Sequence, residues 1–135
     1  MSDARPLPQP TADTQPYWDA ARVGKLVLQR CGGCGKYQFY PRPYCVKCLS
    51  TEVAWVESAG RGTIYTYTVN HRPANPAMKD RVPYAVVAVD LEEGVRMLGN
   101  LVESDLSRIA IGAQVLVAFE KVSEEITLPQ FRLEN

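Results

Sequence analysis

The sequence has few of the residues that enzymes commonly use for acid, base or nucleophilic chemistry. It contains one histidine, His71, and its four cysteines are confined to the stretch from Cys31 to Cys48. A Ser-His-Asp or Cys-His pairing would have to use His71. This histidine begins a proline-rich segment, so we interpret it as an exposed loop residue, with a binding role as the alternative. The adjacent Glu92 and Glu93 fall at a predicted hairpin turn, and we interpret them as solubilising charges rather than an acid–base pair.

The sequence also lacks a long hydrophobic run, an export signal and a net charge. No apolar stretch approaches the ~18 residues that a membrane span needs. The N-terminal residues MSDARPLPQPTADTQP contain no apolar segment of the kind found in signal peptides. We therefore expect a cytoplasmic protein, in which thiols stay reduced. Because 15 basic residues balance 15 acidic ones, the whole molecule has no overall attraction for nucleic acid or an anionic membrane.

The charges are unevenly distributed along the chain. Residues 20–51 contain no acidic residue, whereas the chain from Asp90 onward has nine acids and four bases. The basic residues of the first segment are Arg22, Lys25, Arg30, Lys36, Arg42 and Lys47. This segment also contains all the cysteines, so its cations are expected to compensate charge there or to meet an anionic partner.

The cysteines have the spacing of a structural metal site. Cys31 and Cys34 form one Cys-x2-Cys pair, Cys45 and Cys48 form the other, and ten residues separate the pairs. Two such pairs can wrap a tetrahedral ion. Four thiolates leave no open coordination position, which predicts a structural rather than a catalytic metal. Zinc is favoured, with an iron centre of the rubredoxin type as the alternative, because tetrahedral sulfur sites accept both metals. The glycines around the first pair suit a tight turn whose N–H groups point at the thiolates.

Hydrophobic patterning predicts a mainly β protein. Thr14 is expected to cap a short helix with Pro16 in its first turn and Gly24 after its end. After the cysteines, five or so antiparallel strands and one short helix capped by Ser104 indicate a small barrel of the OB type. The glycines of GRG at residues 60–62 favour a bend between strands rather than a phosphate loop. The predicted organisation is a flexible tail at residues 1–13, the helix and zinc ribbon at 14–51, and the OB-fold at 52–135.

The two faces of the predicted strand at residues 62–70 differ in character. One face carries Tyr65, Tyr67 and Val69, and the other carries Ile64, Thr66 and Thr68. We expect the tyrosine face to line the barrel core, with contact to a partner as the alternative. Trp18 is either an exposed docking residue or packs on the zinc ribbon.

The order of these segments resembles a known family. The segments PYWDAARVGKLVLQRC, CGGCGKYQFYPRPYCVKC, GRGTIYTYTVNHRP and PYAVVAVDLEEGVRMLGNL follow one another, and IGAQVLVAF comes near the end. Together they resemble an acyl-CoA-associated family, formerly a domain of unknown function, in which a rubredoxin-like zinc ribbon precedes an OB-fold. The resemblance extends from about Tyr17 to Phe131. In that family the four cysteines bind zinc, and all four ligand positions are occupied here.

The resemblance implies a partner protein. Family members resemble non-catalytic subunits of thiolase-superfamily enzymes that act on acyl-CoA thioesters, such as thiolases, acyltransferases and the thiolase-like aldolases of steroid side-chain degradation. In such a hetero-oligomer the small subunit stabilises the enzyme and helps to shape or bridge its coenzyme A site. The candidate residues for contact with coenzyme A or the partner are Trp18, Arg22, Lys25, Arg42, Tyr67, His71 and Arg72.

Two other functions fit parts of the sequence. Zinc ribbons and OB-folds both occur in proteins that bind single-stranded nucleic acid, but the neutral net charge and the acidic C-terminal half count against this alternative. An electron carrier would need iron at the four cysteines.

Overall fold

The chain forms a small three-stranded sheet followed by a closed five-stranded barrel. The computed structural model describes residues 7–73 and 76–134. In this part of the chain the elements are α1 (Gln15–Arg22), β1 (Val27–Cys31), β2 (Tyr37–Gln38), β3 (Val53–Glu57), β4 (Arg61–Asn70), β5 (Tyr84–Leu91), β6 (Arg96–Leu101), β7 (Gln114–Lys121), β8 (Thr127–Leu133), and 3-10 helices at Pro76–Met78 and Leu106–Arg108. The predicted fold class is confirmed: the protein is mainly β, with one short α-helix, the ribbon cysteines and an OB-like barrel.

Helix α1 begins and ends where the sequence predicts. Thr14 is its N-cap, Pro16 is in its first turn, and Gly24 follows its end with a φ of +80°, a conformation that glycine adopts without steric cost. Its buried face consists of Tyr17, Trp18 and Ala21. The Thr14 hydroxyl does not bond to the helix; it accepts a hydrogen bond from the Thr11 N–H at 2.9 Å.

The segment before the helix is held against the folded chain. Residues 1–6 of the predicted tail lie outside the described residues. Within the described part, Leu7 packs against the core and the N–H of Gln15 donates to the Thr11 carbonyl at 2.8 Å. Part of the segment predicted as a flexible tail therefore contacts the folded chain, through an apolar side chain and a turn next to the helix.

The ribbon sheet has the strand order β2-β1-β3. Strand β1 pairs antiparallel with β2 on one side and with β3 on the other, where Gln29 lies opposite Trp55. Strand β3 follows the predicted domain boundary at residues 51/52, yet its pairing with β1 places it in the ribbon sheet rather than in the barrel. The short strand β2 was not predicted, since two residues are too few to show a hydrophobic pattern.

The barrel has the strand order β4-β5-β6-β8-β7 and closes through pairing of β4 with β7. Closure is completed by a parallel contact between β6 and β8, at Leu101 and Phe131. Gly62 permits the close approach of β4 to β5: a Cβ there would lie 2.5 Å from a Val89 methyl carbon and 2.7 Å from the Asp90 carbonyl oxygen. The glycine therefore allows two strands to pack closely, whereas the bend predicted at residues 60–62 stays a prediction.

The tyrosine face of β4 does not line the core. Tyr65 and Tyr67 are 51% and 37% exposed, whereas Ile64 from the other predicted face is 1% exposed. A register shift in the pairing of β4 with β5 lies between Ile64 and Thr66. This irregularity breaks the strict alternation of faces on which the prediction was based.

The helix predicted between the third and fourth barrel strands is reduced to the 3-10 turn Leu106–Arg108. Asp105, not Ser104, caps it by accepting a hydrogen bond from the Ser107 N–H at 2.9 Å. The Ser104 hydroxyl instead accepts a hydrogen bond from the Leu133 N–H at 2.9 Å and donates one to the Val102 carbonyl at 2.9 Å. Ser104 therefore stabilises the end of β8 rather than a helix.

The ribbon and the barrel share one hydrophobic core. Tyr17, Trp18 and Leu28 from the N-terminal part belong to the same buried cluster as Phe131 and Val115 of the barrel. Helix α1 packs against both β1 and β8. This continuous apolar contact fixes the position of the metal-binding segment on the barrel.

Candidate metal centre

The four cysteines converge on one site. The Sγ atoms of Cys31, Cys34, Cys45 and Cys48 all lie within 4.8 Å of one another. The Sγ atoms of Cys31 and Cys48 are 3.5 Å apart, and those of Cys34 and Cys45 are 3.7 Å apart. A tetrahedral zinc ion with Zn–S bonds of about 2.3 Å separates its sulfur atoms by about 3.8 Å. The donor atoms therefore fit a four-coordinate ion, and all four cysteines are free thiols rather than disulfide partners.

The cysteines are carried on two turns with the same backbone hydrogen bonds. We call Cys31–Lys36 the first knuckle and Cys45–Ser50 the second knuckle. In the first, the Gly35 N–H donates to the Cys31 carbonyl and the Cys31 N–H to the Lys36 carbonyl, each at 2.9 Å. In the second, the N–H groups of Leu49 and Cys45 make the corresponding bonds at 2.9 and 2.8 Å. The two knuckles are thus equivalent in backbone structure.

Each knuckle directs two N–H groups at its first sulfur atom. The Cys31 sulfur accepts from the N–H groups of Gly33 and Cys34 at 3.2 and 3.4 Å. The Cys45 sulfur accepts from those of Lys47 and Cys48 at 3.4 and 3.5 Å. The Cys34 N–H, with smaller help from the neighbouring thiols and Gly33, lowers the pKa of Cys31 to about 6, and the Cys48 N–H likewise lowers the pKa of Cys45. The thiols of Cys31 and Cys45 are therefore disposed to bind a metal as thiolates.

Two buried glutamines attach the second knuckle to the ribbon sheet. The Gln29 side chain accepts from the Arg42 N–H at 2.8 Å and donates to the Arg42 carbonyl at 2.7 Å. The Gln38 amide donates to the Gln29 oxygen at 2.7 Å and to the Tyr44 carbonyl at 3.0 Å, and its oxygen accepts from the Val46 N–H at 3.0 Å. Sequence reasoning missed both residues. The alternation of polar and apolar residues gave no reason to expect glutamines that are 3% and 8% exposed.

A carboxylate from the barrel reaches the connection between the two parts of the chain. Glu93, in the turn between β5 and β6, accepts from the Ser58 hydroxyl and from the Ala59 N–H, each at 2.9 Å. The prediction that Glu93 is only a solubilising charge is therefore wrong. In the sequence, two adjacent glutamates at a turn give no sign that one of them binds a segment 34 residues earlier in the chain.

The other predicted contact residues do not form one cluster around the metal. Trp18 is 6% exposed and its indole N–H donates to the Tyr40 hydroxyl at 3.2 Å, so it packs on the ribbon and is not an exposed docking residue. Arg22 and Lys25 are exposed at the end of α1, and Arg42 is exposed in the ribbon loop. Tyr67, His71 and Arg72 are exposed along and just beyond the end of β4. Their roles in binding remain predictions.

A four-cysteine ribbon followed by a five-stranded OB barrel defines a zinc ribbon–OB-fold protein. Family models with these two parts match the chain in order. The model described as "ChsH2, rubredoxin-like zinc ribbon domain" matches residues 18–54, and that described as "ChsH2, C-terminal OB-fold domain" matches residues 55–120. The chain belongs to this ChsH2/DUF35 family, and its four-cysteine centre is a zinc site.

Curated relatives include both scaffold proteins and parts of longer subunits. The chain is 35% identical to a "DUF35 domain-containing scaffold protein" of Methanocaldococcus jannaschii over 74% of this chain and 71% of the relative. It is 39% identical to a "Probable enoyl-CoA hydratase alpha subunit" of Thermomonospora curvata over 95% of this chain. It is 37% identical to the "3-oxo-4,17-pregnadiene-20-carboxyl-CoA hydratase alpha subunit" of Mycobacterium tuberculosis over 87% of this chain. The chain spans only 40% and 37% of the length of these two hydratase subunits.

Solved structures have the same architecture. A chain described as "Ltp2-ChsH2(DUF35) aldolase" superposes with a TM-score of 0.83 at 38% identity, covering 94% of this chain and 98% of that one. A DUF35 protein of unknown function from Sulfolobus solfataricus, at 13% identity and a TM-score of 0.63, shares the fold. As for membranes, no helix in the described part of the chain is long and apolar enough to cross one.

Proposed function

We propose that this chain is a non-catalytic accessory subunit of an acyl-CoA enzyme of the thiolase superfamily. The observation that carries the proposal is the likeness to the chain of the Ltp2-ChsH2(DUF35) aldolase, which covers 98% of that chain. The scaffold-protein relatives and the hydratase subunits named for CoA substrates support the same assignment. The chain would act in the cytoplasm as one component of a hetero-oligomer.

The metal centre supports a structural contribution. Its four sulfur ligands complete a tetrahedral coordination shell, so the ion can stabilise the ribbon without binding substrate. The ribbon sheet, with a two-residue edge strand, is too small to hold a core of its own, and metal binding supplies folding free energy to such a segment. We infer that zinc maintains the surface that the partner enzyme recognises.

The proposal includes direct contact between this chain and coenzyme A. The exposed cations Arg22, Lys25 and Arg42 belong to the segment without acidic residues, and cations of this kind bind phosphate groups as charge-assisted donors. His71 and Arg72 provide a second polar group beyond β4. We propose that one of these groups lines the coenzyme A channel when the partner is bound.

The barrel surface argues against the nucleic-acid alternative. OB-folds bind oligonucleotides on the face of their second and third strands, which are β5 and β6 here. On these strands the guanidinium of Arg96 donates to the Asp90 carboxylate at 2.6 and 3.2 Å, so its charge is already compensated. Phosphate neutralisation normally dominates nucleic-acid affinity. We therefore favour a protein partner.

The test is a tagged pull-down from the native host, with co-purifying proteins identified by mass spectrometry and metal measured in the same sample. We expect a stoichiometric thiolase-superfamily protein, together with one zinc ion per chain in a colourless preparation. A red preparation would indicate iron and support an electron carrier. Recovery of nucleic acid without a stoichiometric enzyme would contradict the accessory role.

A further inference from the structure

The two knuckles share a backbone structure but present different side chains. Where the first knuckle has Gly32, Gly33 and Gly35, the second has Val46, Lys47 and Leu49 at the corresponding positions. Because the backbone hydrogen bonds are equivalent, the metal site does not require these three side chains. Their presence on the second knuckle therefore calls for a reason outside metal binding.

The first knuckle is also exposed, but it lies close to other segments of its own chain. A Cβ at Gly32 would lie 3.2 Å from the Glu52 carbonyl oxygen, which is tighter than an ordinary contact. Cys34 and Lys36 border a cleft of about 340 Å³ whose other wall includes Glu93 of the barrel turn. Glycine thus suits the first knuckle, because a side chain there would crowd neighbouring atoms.

The second knuckle exposes apolar side chains. Tyr44, Val46 and Leu49 are 44%, 50% and 69% exposed, and all three lie within a six-residue stretch of the ribbon. Exposed apolar groups concentrated in this way are typical of a surface that another protein covers. The glutamines Gln29 and Gln38 hold the loop that carries them through its backbone, so the patch is presented in a fixed position.

Leu49 is kept where the fold favours glycine. Its φ is +66°, and the equivalent Gly35 has a φ of +76°. A side chain is disfavoured in this conformation, whereas glycine adopts it freely. Since the leucine side chain is mostly exposed, its packing within this chain does not offset the strain. An exposed, strained residue of this kind points to a function.

The charge around the patch indicates the chemistry of its partner. Residues 20–51 carry six basic residues and no acid. Four thiolates with a divalent ion carry −2, and the ribbon continues through β3 with the acids Glu52 and Glu57, so six minus two minus two leaves a net +2 on residues 20–57. The cations thus exceed what the metal centre needs for compensation. Arg42 and Lys47 are both exposed beside the apolar residues.

We propose that Tyr44, Val46 and Leu49, bordered by Arg42 and Lys47, form the surface by which this chain docks onto its partner enzyme. The partner would present an apolar depression bordered by carboxylates. Of the three apolar residues only Tyr44 has a ring on which a base could stack, whereas single-strand sites stack successive bases on several aromatic side chains, which favours a protein over a single strand. For the partner's identity we rely on the proposed function, but the surface is inferred independently of it.

The test compares wild type with Leu49→Gly and a matched control, Ile111→Gly, because Ile111 is also 69% exposed but lies in the turn before barrel strand β7. Leu49→Gly relieves the strained backbone, so we expect full zinc content and a melting temperature at least equal to that of wild type. With the co-purifying thiolase-superfamily protein as the probe, affinity should fall about tenfold or more. Ile111→Gly should bind as wild type does, and Lys47→Glu should slow association most at low salt.

The outcomes separate the docking surface from the proposed function. Unchanged affinity of Leu49→Gly for the thiolase-superfamily protein would disprove the proposed docking surface and leave the proposed function unaffected. If wild type captured a stoichiometric protein of another class, and Leu49→Gly lost it while Ile111→Gly did not, the surface would be upheld and the proposed function rejected. The docking surface would also be disproved if wild type recovered nucleic acid, recovered further copies of this chain, or failed to recover any stoichiometric protein.

Discussion

The carboxylate of Glu93 accepts hydrogen bonds from both the hydroxyl of Ser58 and the N–H of Ala59, each at 2.9 Å. Ser58 and Ala59 lie between β3 of the ribbon and β4 of the barrel. The Ser58 oxygen in turn accepts from the Gly60 N–H at 3.0 Å. A turn of the barrel therefore holds the connection between the two parts of the protein.

We expect Glu93→Ala to weaken this connection. Hydrogen bonds to a charged acceptor are stabilising, and for this partly buried carboxylate we expect the free energy of unfolding to fall by about 1–2 kcal/mol. Urea unfolding measures this change. With Co²⁺ in place of zinc, pseudocontact shifts of barrel amides report the position of the ribbon and should change as well. Glu92→Ala is the control; equal stability and equal shifts for the two variants would contradict the role of Glu93.

We expect Gln38→Met to destabilise the second knuckle. The substitution preserves the length of the side chain but leaves the Tyr44 carbonyl and the Val46 N–H without their partner. Unpaired buried groups of this kind cost about 1–3 kcal/mol each, so zinc affinity should fall in a competition assay with a chromogenic chelator. Gln114→Met is the control, because the bond of Gln114 to Thr63 is exposed. Loss of zinc affinity in both variants to the same extent would show that the glutamine network has no special role.

We expect Cys34→Ser to release the metal and unfold the ribbon. Serine is close to cysteine in size, but its neutral hydroxyl is a poor replacement for a thiolate ligand of zinc. Metal analysis of the purified variant should give less than one zinc per chain, and chelated wild type should show the same loss of ribbon structure by NMR. A variant that kept one zinc ion per chain would disprove the assignment of Cys34 as a ligand.

We expect the Asp90 carboxyl to titrate below its ordinary range. The hydrogen bond from Arg96, with smaller help from the guanidinium charge, lowers the pKa of Asp90. A carboxyl with a lowered folded pKa stabilises the protein above its unfolded pKa of about 3.9, and this contribution disappears as the pH falls through the folded value. The effect is small because both side chains are about half exposed. An NMR titration should show the pKa of Asp90 rising in Arg96→Gln; an unchanged value would exclude the pair as the cause.

The metal ligands and the order of the elements could be predicted from sequence because both depend on local signals. The spacing of Cys31 and Cys34 identifies the ligands, and Pro16 and Gly24 mark the helix ends. The strand segments of the barrel follow from runs of β-branched and aromatic residues. Each of these features can be recognised without knowing which segments meet in the folded protein.

The features that the sequence did not predict all depend on contacts between distant segments. The pairing of β3 with β1 and the hydrogen bonds of Gln38 are invisible to a local pattern. The register shift after Ile64 reverses an assignment of faces that strict alternation supports. Leu49 was missed because an exposed leucine is ordinary, and only its positive φ and its equivalence to Gly35 distinguish it.

The packing of α1 against β8 has a consequence for synthesis on the ribosome. The ribbon can bind its metal once β3 has emerged, but the surface on which Tyr17 and Trp18 pack is complete only after β8, which ends at Leu133. At about 5–20 residues per second, this interval lasts roughly 4–15 s. During that time the nascent chain carries a loaded metal site beside two aromatic side chains that only the ribbon covers. The final strand of the barrel therefore completes the cover over helix α1.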